Sequence, residues 1–294
     1  MNKVIARIKG GLGNQLFCYA AARRLALLNN AELVIDEVSG FIRDRLYRRM
    51  YALHHFSIPA RKATPAERLE PFERYRRAIR KILARRQPFA ARRYVEQEQL
   101  DFDGRLLNLR VRSSIYLDGL WQSEGYFRDV EQTIRDDLRI IPPADSLNQR
   151  ISEEIQNSNA VALHVRWFDT PDSAATHNVA VDYYRRAITL IEGRVKSAKY
   201  FVFSDNPEAA RAKLALPDGR ATFVSHNQGD EKSYADLWLM TQCQHFIIAN
   251  STFGWWGAWL SKHLEKVVIS PGIRLEGKAA WGFAGLIPGR WLQI

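Results

Sequence analysis

Three segments carry residue types that could bind a phosphate group or assist a displacement reaction in which a phosphate group leaves. The first is the glycine-rich run at 10–14, Gly-Gly-Leu-Gly-Asn, which joins a β-rich run to a helical pattern. Backbone N–H groups in such a loop, at the start of a helix, are ready donors to an anion. Leu16 occupies the position of the third glycine in the dinucleotide-binding fingerprint, so that motif is incomplete. A tight turn without a ligand is the alternative interpretation.

The second segment is His-Val-Arg-Trp-Phe-Asp at 164–169, directly after an apolar run typical of a buried strand. Ligands of open parallel sheets bind at the carboxyl ends of strands. The planar guanidinium of Arg166 suits a diphosphate, and the carboxylate of Asp169 could orient Arg166 or accept a proton. A surface ion pair between these two side chains, without a catalytic role, is the alternative.

The third segment is Asn-Ser-Thr-Phe at 250–253, where another apolar run meets an aromatic-rich helical pattern. Ser251 and Thr252 could cap this helix, with hydroxyl and backbone N–H groups that hydrogen-bond a phosphate. Packing explains the size of the tryptophans that follow better than ligand stacking does, and we expect most of them in the core. They are Trp255, Trp256 and Trp259.

The elements that must position these segments predict an α/β fold with parallel sheets. Residues 4–8, the helical pattern after Gly13 and residues 31–36 form strand, helix and strand, hence a βαβ unit. A breaker-rich stretch at 140–146 predicts an interdomain connection. Beyond it the pattern predicts strands at 161–165, 200–204, 221–224, 246–249 and 266–270 and a helix at 181–191.

Composition excludes several classes of protein. With 294 residues, 46% hydrophobic and 26% charged, the chain is an ordinary globular protein of one large domain or two smaller ones. Cys18 and Cys243 form no CxxC pair and no disulfide framework, which favours a reducing compartment. The first apolar run is too short for a signal peptide. The uncharged stretch at 237–261 is interrupted by polar groups, so we interpret it as buried core and a loop rather than a membrane span.

The net charge of +11 is concentrated in one segment. Residues 61–93 hold 12 Lys and Arg against 3 Glu, and apolar residues at three- and four-residue steps predict a basic amphipathic helix over 65–93 beside the sheet. Such a helix suits an anionic membrane surface or a nucleic acid. No RNA-binding, zinc-finger or helix-turn-helix signature accompanies the charge, which favours the membrane and argues against nucleic acid.

Together these segments resemble the α-1,2-fucosyltransferases of glycosyltransferase family eleven, especially the bacterial members. The similar segments occur in the family's order, and His-Val-Arg-Trp-Phe-Asp is similar to its HxRRxD motif. The others are GGLGNQLF at 10–17, GLWQSEGYF at 119–127, FSD at 203–205, DLWLM at 236–240 and NSTFGWWGAWL at 250–260.

The resemblance implies a GT-B architecture, in which two Rossmann-like domains face a central cleft, with the basic helix as an insertion in the N-terminal half. The implied domains are 1–142 on the acceptor side and 143–294 for the donor nucleotide. The implied reaction is an inverting, metal-independent transfer of L-fucose from GDP-fucose, without a cofactor, to a glycan or lipid-linked glycan. The expected acceptor is O2 of a galactoside in a surface polysaccharide repeat unit. The expected location is cytoplasmic, including the inner face of the membrane.

One departure from the family pattern concerns the donor. Trp167 stands where the family motif has its second Arg. Transfer of another GDP-linked 6-deoxyhexose therefore stays open as an alternative.

The resemblance places Arg166 on the donor phosphates, where it would stabilise the charge that grows on the leaving diphosphate. Arg166 and Asp169 are the expected catalytic residues, although Asp36 is a second candidate for the general base. His164 is assigned to the donor pocket, with a hydrogen-bonded core histidine as the alternative. The expected donor-binding residues are Gly11, Gly13, Asn14, His164, Arg166, Asp205, Ser251, Thr252 and Phe253.

No metal site is expected. The Asp-Phe-Asp sequence at 101–103 matches the manganese signature of GT-A transferases, but the run before it is no buried strand, so we interpret the match as a coincidence in a loop. His54, His55 and His177 lack the spacing of metal ligands.

Overall fold

A computed structural model describes residues 2–169, 177–214, 216 and 219–294 of the chain. The chain divides into two compact units, Met1–Arg139 with Ala284–Leu286 and Ile140–Phe283 with Ile287–Ile294. Each unit contains its own β-sheet, and the paired strands within both sheets run parallel. The predicted α/β class with parallel sheets is therefore confirmed.

The first unit is built on a five-stranded sheet. Its elements are β1 (Lys3–Arg7), α1 (Leu12–Leu28), β2 (Glu32–Asp36), β3 (Arg61–Lys62), α2 (Glu73–Arg85), β4 (Tyr94–Glu96), β5 (Ser114–Asp118) and α3 (Glu131–Asp137). The strand order is β3-β2-β1-β5-β4. Since β1 and β2 are adjacent and parallel and α1 connects them, the predicted βαβ unit is confirmed.

The turn from β1 to α1 requires glycine at Gly10. Its φ is +78°, and a Cβ there would lie 2.8 Å from the Nδ2 atom of Asn14. Gln15 is buried, and its Nε2 donates to the carbonyl oxygens of Gly10 at 3.0 Å and Met50 at 2.9 Å. Its Oε1 accepts from the N–H of Ala52 at 2.9 Å. Gln15 thus fixes the segment that follows β2 against the glycine-rich loop.

The basic helix is shorter than predicted, because α2 covers only 13 residues of the expected 65–93. Leu69 and Phe72 adopt left-handed backbone conformations, with φ of +72° and +64°, so the helix begins only after them, and Pro88 disfavours the helical conformation in the residue before it. Ala84 is the one buried residue within α2, and it packs against residues of β1, β2, β4 and β5. Contact with the sheet is therefore confined to a small part of this helix.

The second unit is built on a six-stranded sheet. Its elements are α4 (Ser146–Gln156), β6 (Asn159–Val165), α5 (Val181–Glu192), β7 (Ala198–Ser204), α6 (Pro207–Lys213), β8 (Ala221–Val224), α7 (Ser233–Gln242), β9 (His245–Ile247), α8 (Thr252–Leu260), β10 (Val268–Ser270) and β11 (Leu292–Gln293). The strand order is β11-β10-β9-β6-β7-β8. The five strands and the helix predicted after the connection are confirmed, with small shifts of their ends. Because β6 lies between β9 and β7, its carboxyl end occupies the middle of one sheet edge.

The uncharged stretch at 237–261 forms the end of α7, all of β9 and all of α8. Trp255, Trp256 and Trp259 are buried, as predicted, and the rings of the first two lie 5.0 Å apart. Cys18 and Cys243 are buried and free. Within the described ranges, no helix combines the length and the apolar character that crossing a bilayer requires.

Candidate functional site

Two of the motif segments contact each other in the first unit. Gln122, in the segment at 119–127, donates from Nε2 to Oδ1 of Asn14 at 2.8 Å. The thiol of Cys18 donates to the carbonyl oxygen of Gly119 at 3.1 Å. The side chain of Asn14, an expected donor-binding residue, therefore holds the segment at 119–127 in place.

The glycine-rich loop presents backbone rather than side chains. The N–H of Asn14 donates to the carbonyl oxygen of Gly11 at 2.9 Å, while the amides of Leu12 and Gly13 have no partner among the described residues. A Cβ on Gly11 would lie 2.9 Å from Nη1 of Arg49, so this guanidinium lies directly against the loop. Sequence reasoning missed Arg49, although the basic run at 43–49 was a signal.

In the second unit, Arg166 is held by Asp205, which lies just beyond the neighbouring strand. Nη1 of Arg166 is 2.5 Å from Oδ2 of Asp205, and the N–H of Trp167 donates to Oδ1 of the same carboxylate at 3.0 Å. The two residues meet because β6 and β7 pair in parallel, with Val165 opposite Ser204. The suggested pairing of Arg166 with Asp169 is therefore wrong, and Asp205 orients the guanidinium instead.

The carboxylate of Asp205 is only partly shielded from solvent, with 29% of its side chain exposed. This partial desolvation raises the pKa of Asp205, and the positive charge of Arg166 only partly opposes the effect. The Arg166 side chain is 23% exposed, and its Cζ lies 5.2 Å from the centroid of the Phe168 ring. Asp205 engages one edge of the guanidinium, which has five N–H donors, so an anion can be bound by the others.

Trp167 belongs to the core of the second unit. Its side chain is buried in a cluster that includes Val179, Tyr183 and Tyr184. Residue 167 therefore contributes packing where the family pattern has a second positive charge.

His164 lies in β6 and is buried, with 5% of its surface exposed, and its ring contacts the start of α8. Burial, and secondly the charge of Arg166, lower the pKa of His164 to about 3, so the imidazole is neutral. Its ring lies 5.6 Å from that of Phe253, and a Cβ on Gly254 would lie 2.7 Å from its Nδ1. This Nδ1 is buried and has no hydrogen-bond partner among the described residues.

The start of α8 carries the polar residues of the third segment. Ser251 is the N-cap residue, and its Oγ accepts from the N–H of Phe253 at 3.3 Å; Thr252 is the first helical residue. Asn250 is buried and donates from Nδ2 to the carbonyl oxygen of His177 at 2.9 Å. Its Oδ1 is buried without a partner among the described residues. The expected residues of the second unit therefore lie at the carboxyl ends of β6, β7 and β9.

Asp169 lies outside the ion pair of Arg166. Its Oδ2 is 3.0 Å from Nδ1 of His177, and both side chains are more than a third exposed. Asp36, the other candidate base, is fully buried and accepts from the N–H and the hydroxyl of Ser39, at 2.9 and 2.6 Å, and from the hydroxyl of Tyr116. Both oxygens of Asp36 are thus engaged in structural hydrogen bonds.

A half-buried carboxyl group that sequence reasoning did not assign a role lies on α7. Burial raises the pKa of Asp236 to about 7, and Asn227 donates to Oδ1 of this group at 2.9 Å. The signal was an acidic residue within a mostly apolar helix. A carboxyl group that titrates near neutral pH can donate as well as accept a hydrogen bond.

The carboxylates of the Asp-Phe-Asp sequence have structural partners. Oδ1 of Asp101 accepts from the N–H of Ala284 at 2.8 Å, and Oδ1 of Asp103 accepts from the N–H of Arg105 at 3.0 Å. Across the described part of the chain, no three His, Cys, Asp or Glu side chains group closely enough to hold a metal ion.

Comparison with known proteins relates these motifs to sugar transfer. Residues 3–272 match glycosyl transferase family 11. The chain is 30% identical to the O-antigen biosynthesis glycosyltransferase WbnK of Escherichia coli, over 90% of this chain and 92% of the relative. It is 28% identical to an α-1,2-colitosyltransferase of Escherichia coli, over 100% and 99%. The fold is similar to a crystal structure of NodZ α-1,6-fucosyltransferase soaked with GDP-fucose, with a TM-score of 0.56 and 18% identity over 88% of this chain and 92% of NodZ.

We expect His164 to make the stability of the protein depend on pH. The folded protein keeps this imidazole neutral down to about pH 3, whereas the unfolded chain binds a proton below about pH 6.5. The free energy of unfolding therefore falls as the pH falls through this window, by about 1.4 kcal/mol per unit below pH 6.5. Denaturant unfolding from about pH 7 to about pH 5 should show a decline of about 2 kcal/mol that His164→Asn lacks. The exposed His263 provides the control, because His263→Asn should retain the decline; an equal decline in both variants would contradict the assignment.

Proposed function

The chain belongs to glycosyltransferase family 11, and we propose that it transfers L-fucose from GDP-fucose, with inversion, to O2 of a galactoside in a glycan. It is an α-1,2-fucosyltransferase-type glycosyltransferase of polysaccharide biosynthesis. The observation that carries the donor proposal is the guanidinium of Arg166, oriented by Asp205 at the same sheet edge as the start of α8. The similarity to NodZ, a protein soaked with GDP-fucose, supports a GDP-linked donor.

The two units then divide the work as in a GT-B enzyme. The second unit binds the donor nucleotide, with His164, Ser251, Thr252 and Phe253 around the base and phosphates and Arg166 on the diphosphate. The first unit serves the acceptor side. Its glycine-rich loop offers the backbone N–H groups of Leu12 and Gly13 as hydrogen-bond donors. The motif segments of each unit support this division.

In the proposed reaction, the acceptor hydroxyl oxygen attacks the anomeric carbon from the face opposite GDP. The new C–O bond forms as the bond from that carbon to the β-phosphate oxygen breaks, and GDP leaves with the electron pair. Arg166 and the N–H groups at the start of α8 stabilise the growing negative charge. Because Asp205 holds the guanidinium in place beforehand, little reorganisation is needed at the moment of bond breaking. We propose that these groups suffice without a metal ion.

The acceptor hydroxyl must lose a proton as it attacks. We propose Asp169 as the base, since its carboxylate is partly exposed and oriented by His177. Asp36 is less suited to this role, because it is buried and both its oxygens already accept hydrogen bonds.

Transfer of another GDP-linked 6-deoxyhexose is the second candidate. Two observations favour it: Trp167 replaces a family Arg, and a relative that matches the whole chain is an α-1,2-colitosyltransferase. Colitose is fucose without the 3-hydroxyl. A site that hydrogen-bonds this hydroxyl rejects the sugar that lacks it by about 10⁴-fold or more, so the two donors are readily distinguished.

A donor panel tests the proposed function. The protein is incubated with GDP-fucose, GDP-colitose, GDP-mannose, UDP-galactose and CMP-sialic acid, with and without excess EDTA and with a galactoside acceptor. We expect transfer from GDP-fucose that EDTA does not reduce, because Arg166 and backbone amides take the place of a cation. Preference for GDP-colitose would establish the second candidate, use of only UDP or CMP donors would refute both, and loss in EDTA restored by Mn²⁺ would refute the metal-free mechanism.

Arg166→Ala should lower kcat by about 10²–10³-fold, because its hydrogen bonds strengthen as the leaving diphosphate gains charge. Arg166→Lys should rescue little, since an ammonium restores the charge but not the planar fork. Steady-state kinetics and the unfolding temperature are measured on the same preparations. Arg186→Ala is the matched control, because this arginine pairs with Asp182 on an exposed face of α5 and should keep full activity. A folded Arg166→Ala protein with near-normal kcat would remove the residue from the mechanism.

Substitutions of the two candidate bases should have opposite signatures. Asp169→Asn removes the proposed proton acceptor and should lower kcat by about 10²–10⁴-fold with little change in unfolding free energy. Asp36→Asn disturbs a buried hydrogen-bond network and should lower the unfolding free energy by about 1–3 kcal/mol while the folded enzyme retains its kcat. Kinetics combined with urea unfolding separate the two effects. The reverse pattern would transfer the role of base to Asp36.

A further inference from the structure

Exposed apolar side chains are concentrated in two segments of the first unit. Of 15 large hydrophobic residues that are exposed in the described chain, nine lie between 42 and 50 or between 72 and 83. They are Ile42, Leu46, Tyr47, Met50, Phe72, Tyr75, Ile79, Ile82 and Leu83. A concentration of this kind on a folded surface indicates a contact with another apolar phase.

The segment at 72–83 forms an exposed apolar stripe along α2. Phe72 precedes the helix, and Tyr75, Ile79 and Ile82 follow at steps of three and four residues, which places them on one face. Each is more than half exposed, and Phe72 reaches 69%. The helix contacts the sheet through Lys81, Ala84 and Arg85, none of which belongs to the stripe, so the stripe is left uncovered by the first unit.

Positive charges that no carboxylate pairs among the described residues accompany this stripe, and one of them, Arg74, lies 6.0 Å from the centroid of the Tyr75 ring. Arg74, Arg80 and Arg86 are exposed and have no ion-pair partner among the described residues. Other basic residues of α2 are paired, since Lys81 and Arg85 both contact Glu96. The unpaired guanidinium groups are therefore available to an external anion.

The segment at 42–50 repeats this composition, and sequence reasoning did not identify it. Leu46 is 68% exposed, and Arg43, Arg45 and Arg48 are exposed without an ion-pair partner among the described residues. The end of this segment is tied to the glycine-rich loop, because Gln15 donates to the carbonyl oxygen of Met50.

We propose that the segments 42–50 and 72–86, here called the bilayer-binding segments, attach this protein to the surface of an anionic phospholipid membrane. Exposed apolar side chains would enter the boundary between headgroups and acyl chains, while the unpaired arginines bind lipid phosphates. A nucleic acid would use the arginines but offers no phase for the aliphatic residues of the stripe. The combination of both features favours the bilayer.

The attachment has a consequence for the acceptor. Because the segment at 42–50 is tied to the glycine-rich loop, attachment holds this loop near the membrane surface. That position suits a glycan carried on a membrane lipid. This last step rests on the proposed function, whereas the attachment itself does not.

Vesicle sedimentation tests the attachment in the absence of any sugar, so the result does not depend on transferase activity. The full-length protein should bind vesicles of equal parts phosphatidylglycerol and phosphatidylcholine much more tightly than vesicles of phosphatidylcholine alone. Each Lys or Arg near such a surface contributes about fivefold to the partition coefficient. The combined variant Arg74→Gln, Arg80→Gln and Arg86→Gln should therefore bind on the order of 100-fold more weakly. Equal binding of the wild-type protein to both vesicle types would overturn the proposal.

The apolar contribution is tested separately. Ile79→Ser combined with Ile82→Ser removes two exposed side chains without touching the core, and should weaken vesicle binding by about 10-fold or more. The control is Lys262→Gln combined with Leu264→Ser, a basic and an apolar residue of the second unit, of which Leu264 is 98% exposed. This control should bind like the wild-type protein, and unfolding temperatures verify that all variants are folded.

A duplex DNA and an RNA hairpin are titrated in the same salt series. Vesicle binding that depends on both the arginines and the aliphatic residues supports the proposal. Tight nucleic-acid binding that survives Ile79→Ser with Ile82→Ser, together with weak vesicle binding, would overturn it in favour of a nucleic-acid surface. Equal weakening by the control variant would also overturn it, because the effect would then not belong to these segments.

Discussion

One carboxylate organises the end of the central strand in the second unit. Asp205 accepts from the guanidinium of Arg166 and from the backbone N–H of Trp167, so it determines both the position of a charge and the direction of the chain after β6. With the backbone held in this way, the indole of Trp167 enters the core while Arg166 stays at the sheet edge. Partial desolvation of Asp205 disfavours its charge, and Arg166 compensates in part. The carboxylate that positions Arg166 for the proposed chemistry thus also holds the backbone that follows β6.

In the first unit, neighbouring cations stabilise the charge of the buried carboxylate Asp118 more than burial disfavours it. Burial opposes the ionisation of Asp118, but Lys9 and Arg7 outweigh it and hold its pKa well below the usual range. The hydroxyl of Tyr94 also donates to this group at 2.6 Å. Three cations, Arg7, Lys9 and Lys81, pair with Asp118, whereas a single cation leaves the pKa of Asp205 raised. Asp118 is therefore a permanent anion that anchors cations at the carboxyl ends of β1 and β5, and it is unsuited to proton transfer near neutral pH.

The two units also differ in how they use apolar surface. In the second unit the large aromatic side chains are enclosed, as the stacked rings of Trp255 and Trp259 at 6.1 Å illustrate. In the first unit, α2 buries only Ala84 and leaves its aliphatic stripe exposed. Exposed apolar residues lower the solubility of a protein, so they are retained where another phase covers them. The stripe requires an apolar phase, and the unpaired arginines beside it require that the surface of this phase be negatively charged.

The sequence alone determined the α/β class, the βαβ start, the strands of the second unit and the buried tryptophans, because hydrophobic periodicity and glycine turns are local signals. It also identified the motif residues on which the family assignment depends. The partner of Arg166 was not predictable, since Asp205 lies 39 positions away and the two meet only because β6 and β7 are neighbours in the sheet. Arg49 beside Gly11 and the buried network of Asp36 depend on tertiary contacts in the same way. Periodicity located the apolar side of the basic helix, but only the packed structure showed that this side is left uncovered. A pattern along the sequence does not reveal which other part of the protein, if any, packs against a given side of a helix.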